Sequence, residues 1–138
     1  MNNRVVGRMP PKMKGEWAEM RFMTRAAEHG LRVTKPWGDS SRYDFAVEHQ
    51  GRFQRVQVKA TSNKQRNHYR CHLRGGRGKP YCKDQIDFVA LYIIPKDLWY
   101  IIPIKVAARS AWVIIVSPRM KKSKHGVYKE AWDLLRAE

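Results

Sequence analysis

Asp44, Gln57 and Lys59 bring a carboxylate, an amide and an amine within sixteen positions of one another. Read with the period of two of a β-strand, the stretch Arg52-Phe53-Gln54-Arg55-Val56-Gln57-Val58-Lys59-Ala60 puts Gln57 and Lys59 on one face. Val56, Val58 and Ala60 fall on the other, so one side reads as core and the other as a reaction site. Gln50-Gly51 is a turn signal, and a two-residue hairpin loop there pairs Val47 with Gln54 and Asp44 with Gln57. Asp44 alternates with Tyr43 and Phe45, so its carboxylate points the same way as Gln57 and Lys59. A carboxylate and an amide oxygen suit a hard, oxygen-ligated cation such as Mg²⁺, which keeps several waters and takes one or two protein carboxylates. A lysine beside them can hold a phosphate or activate a water. Periodicity alone fits equally well a half-buried ribbon whose polar face is simply solvated.

The elements that must position these groups are legible in outline. From about Lys14 to His29 the spacing is helical, with Ala18, Phe22 and Ala26 recurring every four residues and Gly30 as C-cap. Glu19 lies beside that apolar stripe, where it can reach the site; Glu16 competes for the role, and ion pairing with the surplus of Arg and Lys is the ordinary alternative. Leu31 to Lys35 reads as a strand and residues 36–41 as a loop. A further strand runs through Tyr69, Cys71 and Leu73, followed by the cationic turn Arg74 to Pro80. Phe88 to Ile94 and Trp99 to Ile104 form a second, apolar hairpin expected deep in the sheet. Asp87, at its mouth, reads as a strand-start residue. Val106 to Ala108 suggests a helical turn, Trp112 to Val116 a strand that serves as core or as an interface, and Tyr128 to Arg136 a closing helix. Residues 1–13 read as a basic arm without period, with disorder slightly preferred, and 14–138 as the domain.

The 138 residues are 43% hydrophobic and 29% charged, which describes one domain with a modest core. Net charge is the outlier, because 28 Lys and Arg against 12 Asp and Glu give +16. Such self-repulsion implies a polyanionic partner, and a phosphate backbone fits best because each neutralised phosphate releases condensed counterions. No run reaches the length of a transmembrane helix and no signal peptide is evident, so a cytoplasmic, nucleoid-associated location is expected. His68, Cys71, His72 and Cys82 match no common zinc-finger spacing, and reduced thiols are expected.

Trp17, Trp99, Trp112 and Trp132 lie in apolar runs and read as core, whereas Trp37 stands in a loop beside Asp39 and Arg42. Arg42, Arg55, Lys64, Arg66, Arg70, Arg74 and Arg77 fall on or next to the proposed catalytic face and are the expected nucleic-acid-binding residues. Lys121, Lys122 and Lys124 form a separate patch. Arginine on a β-ribbon can read guanine, which makes the strand around Tyr69 to Leu73 the candidate reader.

The order of motifs resembles the PD-(D/E)xK nuclease superfamily over roughly Lys14 to Ile104. The resemblance rests on Lys14-Gly15-Glu16-Trp17-Ala18-Glu19, Arg42-Tyr43-Asp44-Phe45, Arg55-Val56-Gln57-Val58-Lys59, Tyr81-x-x-Asp84-Gln85-Ile86-Asp87-Phe88 and Trp99 to Ile104. The Gln-x-Lys pair is similar to that of intron-encoded homing endonucleases, and the opening segment also resembles archaeal Holliday-junction resolvases. Tyr43 stands where the superfamily name implies Pro, and Gln57 where it implies Asp or Glu, so a weaker metal site is implied.

The resemblance implies an α/β restriction-endonuclease-like domain with a central mixed β-sheet flanked by helices. It implies a Mg²⁺-dependent DNA endonuclease, with Mn²⁺ able to substitute. Asp44, Gln57, the Val58 carbonyl and Glu19 would hold the metal, Glu19 being favoured because the Lys-Gly-x-x-Ala-Glu pattern ends there. Lys59 would orient or deprotonate the attacking water. The expected substrate is double-stranded DNA cut by a homing-type enzyme, or alternatively branched DNA cut by a Holliday-junction resolvase. A non-catalytic basic nucleic-acid-binding protein is the rival. One compact site cuts one strand, so a homodimer or homotetramer is expected, with no membrane partner.

Overall fold

The computed structural model describes residues 2–38, 40–73 and 84–136. Five strands form one mixed sheet in the order β1 (Arg32–Thr34), β2 (Phe45–His49), β3 (Arg52–Thr61), β6 (Phe88–Ile93), β7 (Leu98–Pro103). Only the β3–β6 pair is parallel. A smaller antiparallel sheet joins β4 (Lys64–Gln65), β5 (His68–His72) and β8 (Val113–Val116). Helices are α1 (Asn3–Gly7), α2 (Pro11–Glu28) and α3 (Ile104–Arg109). The expected class, an α/β domain with a central mixed sheet and flanking helices, is the one observed.

The first hairpin has the register that its turn signal predicts. Val47 pairs with Gln54 and His49 with Arg52 around Gln50-Gly51, both at positive φ, as a type I′ turn requires. Glycine meets that demand without strain, whereas Gln50 adopts it as a residue with a side chain. The second hairpin also forms, joined through a 3-10 turn at Ile94–Lys96 and Asp97 at φ 48°. β6 is central, as expected, but β7 is an edge strand. Its edge is covered by the chain near Glu130, whose N–H donates to the Trp99 carbonyl and whose carboxylate accepts from Trp99 N.

That contact also overturns the expected closing helix at Tyr128 to Arg136. Two short 3-10 turns, Gly126–Tyr128 and Trp132–Leu135, stand there instead. Glu130 adopts φ 50° and spends its carboxylate on Trp99 N and Trp132 Nε1, bonds that a continuous helix would forbid.

Two cores sandwich the large sheet. On one face α2 packs Ala18, Phe22 and Ala26 against Phe45, Val56, Val58, Trp99 and Trp132. On the other, Val89, Leu91, Ile93 and Ile102 meet Tyr69, Cys71 and Leu73 of β5, Ile114 and Val116 of β8, and Ala107 of α3. The face expected to be purely a reaction surface is therefore partly covered. Trp112 to Val116 supplies core, since Ile114 and Val116 are buried.

Residues 2–12 carry helical structure where an arm without period was expected. Asn2 caps α1 by accepting from the N–H groups of Arg4 and Val5, and Val6 is buried in the first core. Helix α2 starts at Pro11 rather than Lys14, with proline in the first turn, where its missing N–H costs nothing. Gly30 follows its end at φ 74°, the left-handed conformation of a C-cap. Asp97 clamps this helix to the β6–β7 turn through Arg21 at 2.7 Å and Arg25 at 3.2 Å.

Candidate active site

Three elements converge on Asp44. The Asp44 N–H donates to the Val56 carbonyl at 2.9 Å, carrying the β2–β3 ladder one step past the Phe45–Val56 pair. In this register Asp44 lies opposite Gln57, as the turn predicts. The carboxylate turns along β3, and its Oδ2 accepts from Val58 N at 2.8 Å. One oxygen is thereby fixed and the other stays available to a ligand.

Glu19 comes from α2. Its side chain is about three-quarters buried and pairs with Lys35 Nζ at 3.5 Å. Lys35, from the end of β1, also lies 5.3 Å from the Phe45 ring centroid. Glu16 and Glu19 both line a cleft of about 270 Å³ together with Lys35, Tyr43 and Asp44. Gln57 and Lys59 do not line this cleft. Both are half-buried on β3, where Gln57 lies opposite Asp44 in the register and Lys59 is within its electrostatic reach.

Electrostatics tie the group together. Burial pushes the Asp44 carboxyl up to about 6; the Val58 N–H opposes this, Glu19 repulsion adds to it, and Lys59 and Lys35 pull it back. Two carboxylates that repel each other in a desolvated site are what a divalent cation relieves. With the amide oxygen of Gln57 and the backbone oxygen of Val58, the groups that could hold a metal would offer only oxygen, which would fit a hard cation. Lys35 escaped the sequence reading. The only available signal was its place at the end of β1, which becomes meaningful once β1 is known to pair with β2.

The expected DNA-binding residues divide. Arg42 is exposed next to the cleft, and Lys64 and Arg66 are exposed on the β4–β5 hairpin. Arg70 is half-buried on β5, and this hairpin is tied to the end of β3 by Thr61 Oγ1 donating to the Arg70 carbonyl at 2.9 Å. Arg55 has partners within the fold. Its guanidinium forks onto the Asp87 carboxylate with two contacts of 3.0 Å and also donates to the Asp84 carbonyl. Burial pushes Asp87 up, and the hydrogen bonds from Arg55 outweigh it, leaving the carboxyl below its usual range. Arg55 is therefore a brace between β3 and the start of β6, and its fork is spent on Asp87. Arg74, Arg77 and Cys82 lie outside the described residues.

Cys71 faces the second core, where burial pushes its thiol up to about 11. His68 and His72 alternate onto the opposite face of β5, which separates them from it as metal ligands. Trp99 and Trp132 are buried and Trp17 and Trp112 pack on the cores, whereas Trp37 is fully exposed beside the cleft.

Comparison with known proteins agrees with this geometry. The family model described as PD-(D/E)XK endonuclease matches residues 9–135. A solved bacterial homing endonuclease, I-Ssp6803I, is 28% identical with a TM-score of 0.80, over 93% of this chain and 94% of that one. A Holliday junction resolvase, Hjc of the archaeal hyperthermophile Archaeoglobus fulgidus, shares the fold at a TM-score of 0.53 and 15% identity, over 75% of this chain and 84% of that one. No curated protein matches by sequence. With a family model spanning nearly its whole length, the chain belongs to the PD-(D/E)XK endonuclease family and is a nuclease.

Proposed function

We propose that this nuclease is a Mg²⁺-dependent, homing-type endonuclease that hydrolyses phosphodiester bonds of duplex DNA. The observation that carries the reading is the end-to-end likeness to a bacterial homing endonuclease. The likeness to the resolvase is one of fold alone, which leaves four-way junctions as the second substrate. Nucleases of this family are generally dependent on a divalent metal. Asp44, Glu19, the Gln57 amide oxygen and the Val58 carbonyl would hold it. Mg²⁺ suits so small a set because it keeps several of its own waters. Bound there, it supplies Lewis acidity toward the scissile phosphoryl group.

The chain's own residues do the rest. The Val58 N–H fixes the Asp44 carboxylate, so the site is organised before substrate arrives. Lys59, half-buried within the electrostatic reach of Asp44, orients the attacking water and places its ammonium near the charge that builds on the phosphorus oxygens. Arg42, Lys64, Arg66 and Arg70 hold flanking phosphates and position the duplex.

The test is cleavage of a supercoiled plasmid, a randomised duplex library and a synthetic four-way junction, each with Mg²⁺ or EDTA. Metal-dependent cutting of duplex is expected, lost in Lys59→Ala while DNA binding stays within a few-fold. Cutting of the junction irrespective of sequence would favour the resolvase, and failure to cut any of the three in Mg²⁺ would overturn the reading. Joint loss of binding and cutting in Lys59→Ala would remove that lysine from catalysis.

A further inference from the structure

Lys122 and Lys124, a patch separate from the proposed catalytic face when read in sequence, meet Arg70 in the fold. Arg70 of β5 pairs with Ile115 of β8, and the chain from Ser117 to His125 lies against that pair. Together they enclose a groove of about 550 Å³. Its polar lining includes Arg70, Lys122, Lys124, Ser117, Ser123 and His125, and no acidic residue lines it among the described residues. Val113, Ile115 and Met120 provide apolar wall. It shares no lining residue with the cleft at Asp44.

Two polar atoms in this lining are incomplete. Arg70 Nε and His125 Nε2 are buried with no hydrogen-bond partner among the described residues. His125 is only 3% exposed, and its Nδ1 donates to the Ile115 carbonyl at 3.1 Å, which fixes the ring. Nδ1 must carry the proton to make that bond. A buried donor left without a partner is costly, and a ligand oxygen that accepts from Arg70 Nε removes that cost.

We propose that this groove is a phosphate-binding subsite for the DNA backbone, distinct from the place where the bond is cut. Three cationic side chains and the serine hydroxyls match the anionic oxygens of a phosphodiester. The apolar wall suits the carbons of the adjoining deoxyribose. The proposal rests on the reading of DNA as substrate, and it adds a second anchor to the duplex.

The test measures binding of a labelled 30-base-pair duplex in EDTA, so that no cleavage intervenes. The double variant Lys122→Ala/Lys124→Ala is compared with Lys96→Ala/Lys105→Ala, which removes equal charge from exposed positions elsewhere. Expected is a slope of log affinity against log salt that is shallower by about one to two than in the control pair. In parallel, inorganic phosphate alone should shift the His125 ring resonances saturably, the shift should vanish in Arg70→Met, and the duplex should displace the phosphate.

Equal salt slopes in the two double variants, or a phosphate response that the duplex does not displace, would overturn the proposal. So would loss of self-association in Lys122→Ala/Lys124→Ala with duplex affinity unchanged, because the groove would then receive a second copy of the chain. A wild-type protein that binds phosphate but no duplex would sink the DNA reading itself, and the phosphate arm tells that failure from the failure of the groove.

Discussion

Gln57 is the position at which this site carries less charge than a pair of sheet carboxylates would bring. Its amide oxygen could ligate a cation but adds no charge, so in the proposed site the negative charge is left to Asp44 and Glu19, with Glu16 lining the same cleft. Ligand charge count tunes cation affinity, and Gln57→Glu should therefore bind Ca²⁺, used as an inert substitute, roughly tenfold more tightly by calorimetry. Unchanged affinity would remove Gln57 from the ligand set. Trp37 poses the opposite question, since a fully exposed indole beside the cleft buries nothing in the free protein. Aromatic stacking on a nucleic-acid base contributes about 1–3 kcal/mol. Trp37→Ala should weaken duplex binding on the order of tenfold while leaving the melting temperature unchanged. If affinity does not move, the indole does not touch DNA.

At the scale of elements, the first hairpin depends on a local turn and the helix that carries Glu19 on a long-range clamp. The hairpin turns on Gln50, whose φ of 52° is one that asparagine adopts more readily than glutamine. Gln50→Asn should stabilise the fold by about 0.5–1 kcal/mol in urea titration, and a loss of stability would show that the Gln50 side chain holds the turn by other means. Helix α2 is held by Asp97. Burial pushes its carboxyl up, but hydrogen bonds from Tyr92 and Arg21 and the attraction of Arg21 and Arg25 outweigh this and leave it below its usual range. A lowered folded pKa means stability that is present above the unfolded value near ~3.9 and lost as pH falls through the lower folded one. Asp97→Asn should remove that acid-side dependence and cost about 1 kcal/mol at neutral pH, discounted because the pair is partly exposed. Sequence legibility follows the range of these devices. The register of the first hairpin follows from two turn residues, and the face of Asp44 and Lys59 from a period of two. The brace from Arg55 to Asp87 had no local signal because the two lie 32 residues apart. The C-terminal segment misled because Glu130 bonds to Trp99, 31 residues back. The continuous apolar run of β6 signals a strand buried on both faces, but not that β5, β8 and α3 supply the core on the face it shares with Lys59.

At the scale of the whole molecule, charge and stoichiometry decide how the nuclease meets DNA. A chain of net charge +16 binds a polyanion largely through counterion release, so affinity for any duplex should fall steeply with salt. Charge brings the protein to DNA but does not cut it twice. The fold holds one cluster of Glu19, Asp44 and Lys59, and a duplex break needs two hydrolyses on strands of opposite polarity. Two copies related by a two-fold axis present two equivalent sites to those strands, so a symmetric dimer, or a tetramer of dimers, is the assembly that the chemistry calls for. Subunit mixing tests this without knowledge of the interface. When wild-type protein is co-assembled with an equal amount of Lys59→Ala, about half of the dimers contain one competent site and about a quarter contain two. On a plasmid bearing a cleavable site, the mixed population should accumulate nicked circles that neither pure protein accumulates, while linear product falls to about a quarter of the wild-type yield. Linear product at half the wild-type yield with no nicked species would mean that a single copy cuts both strands in turn, and the need for a symmetric assembly would be gone.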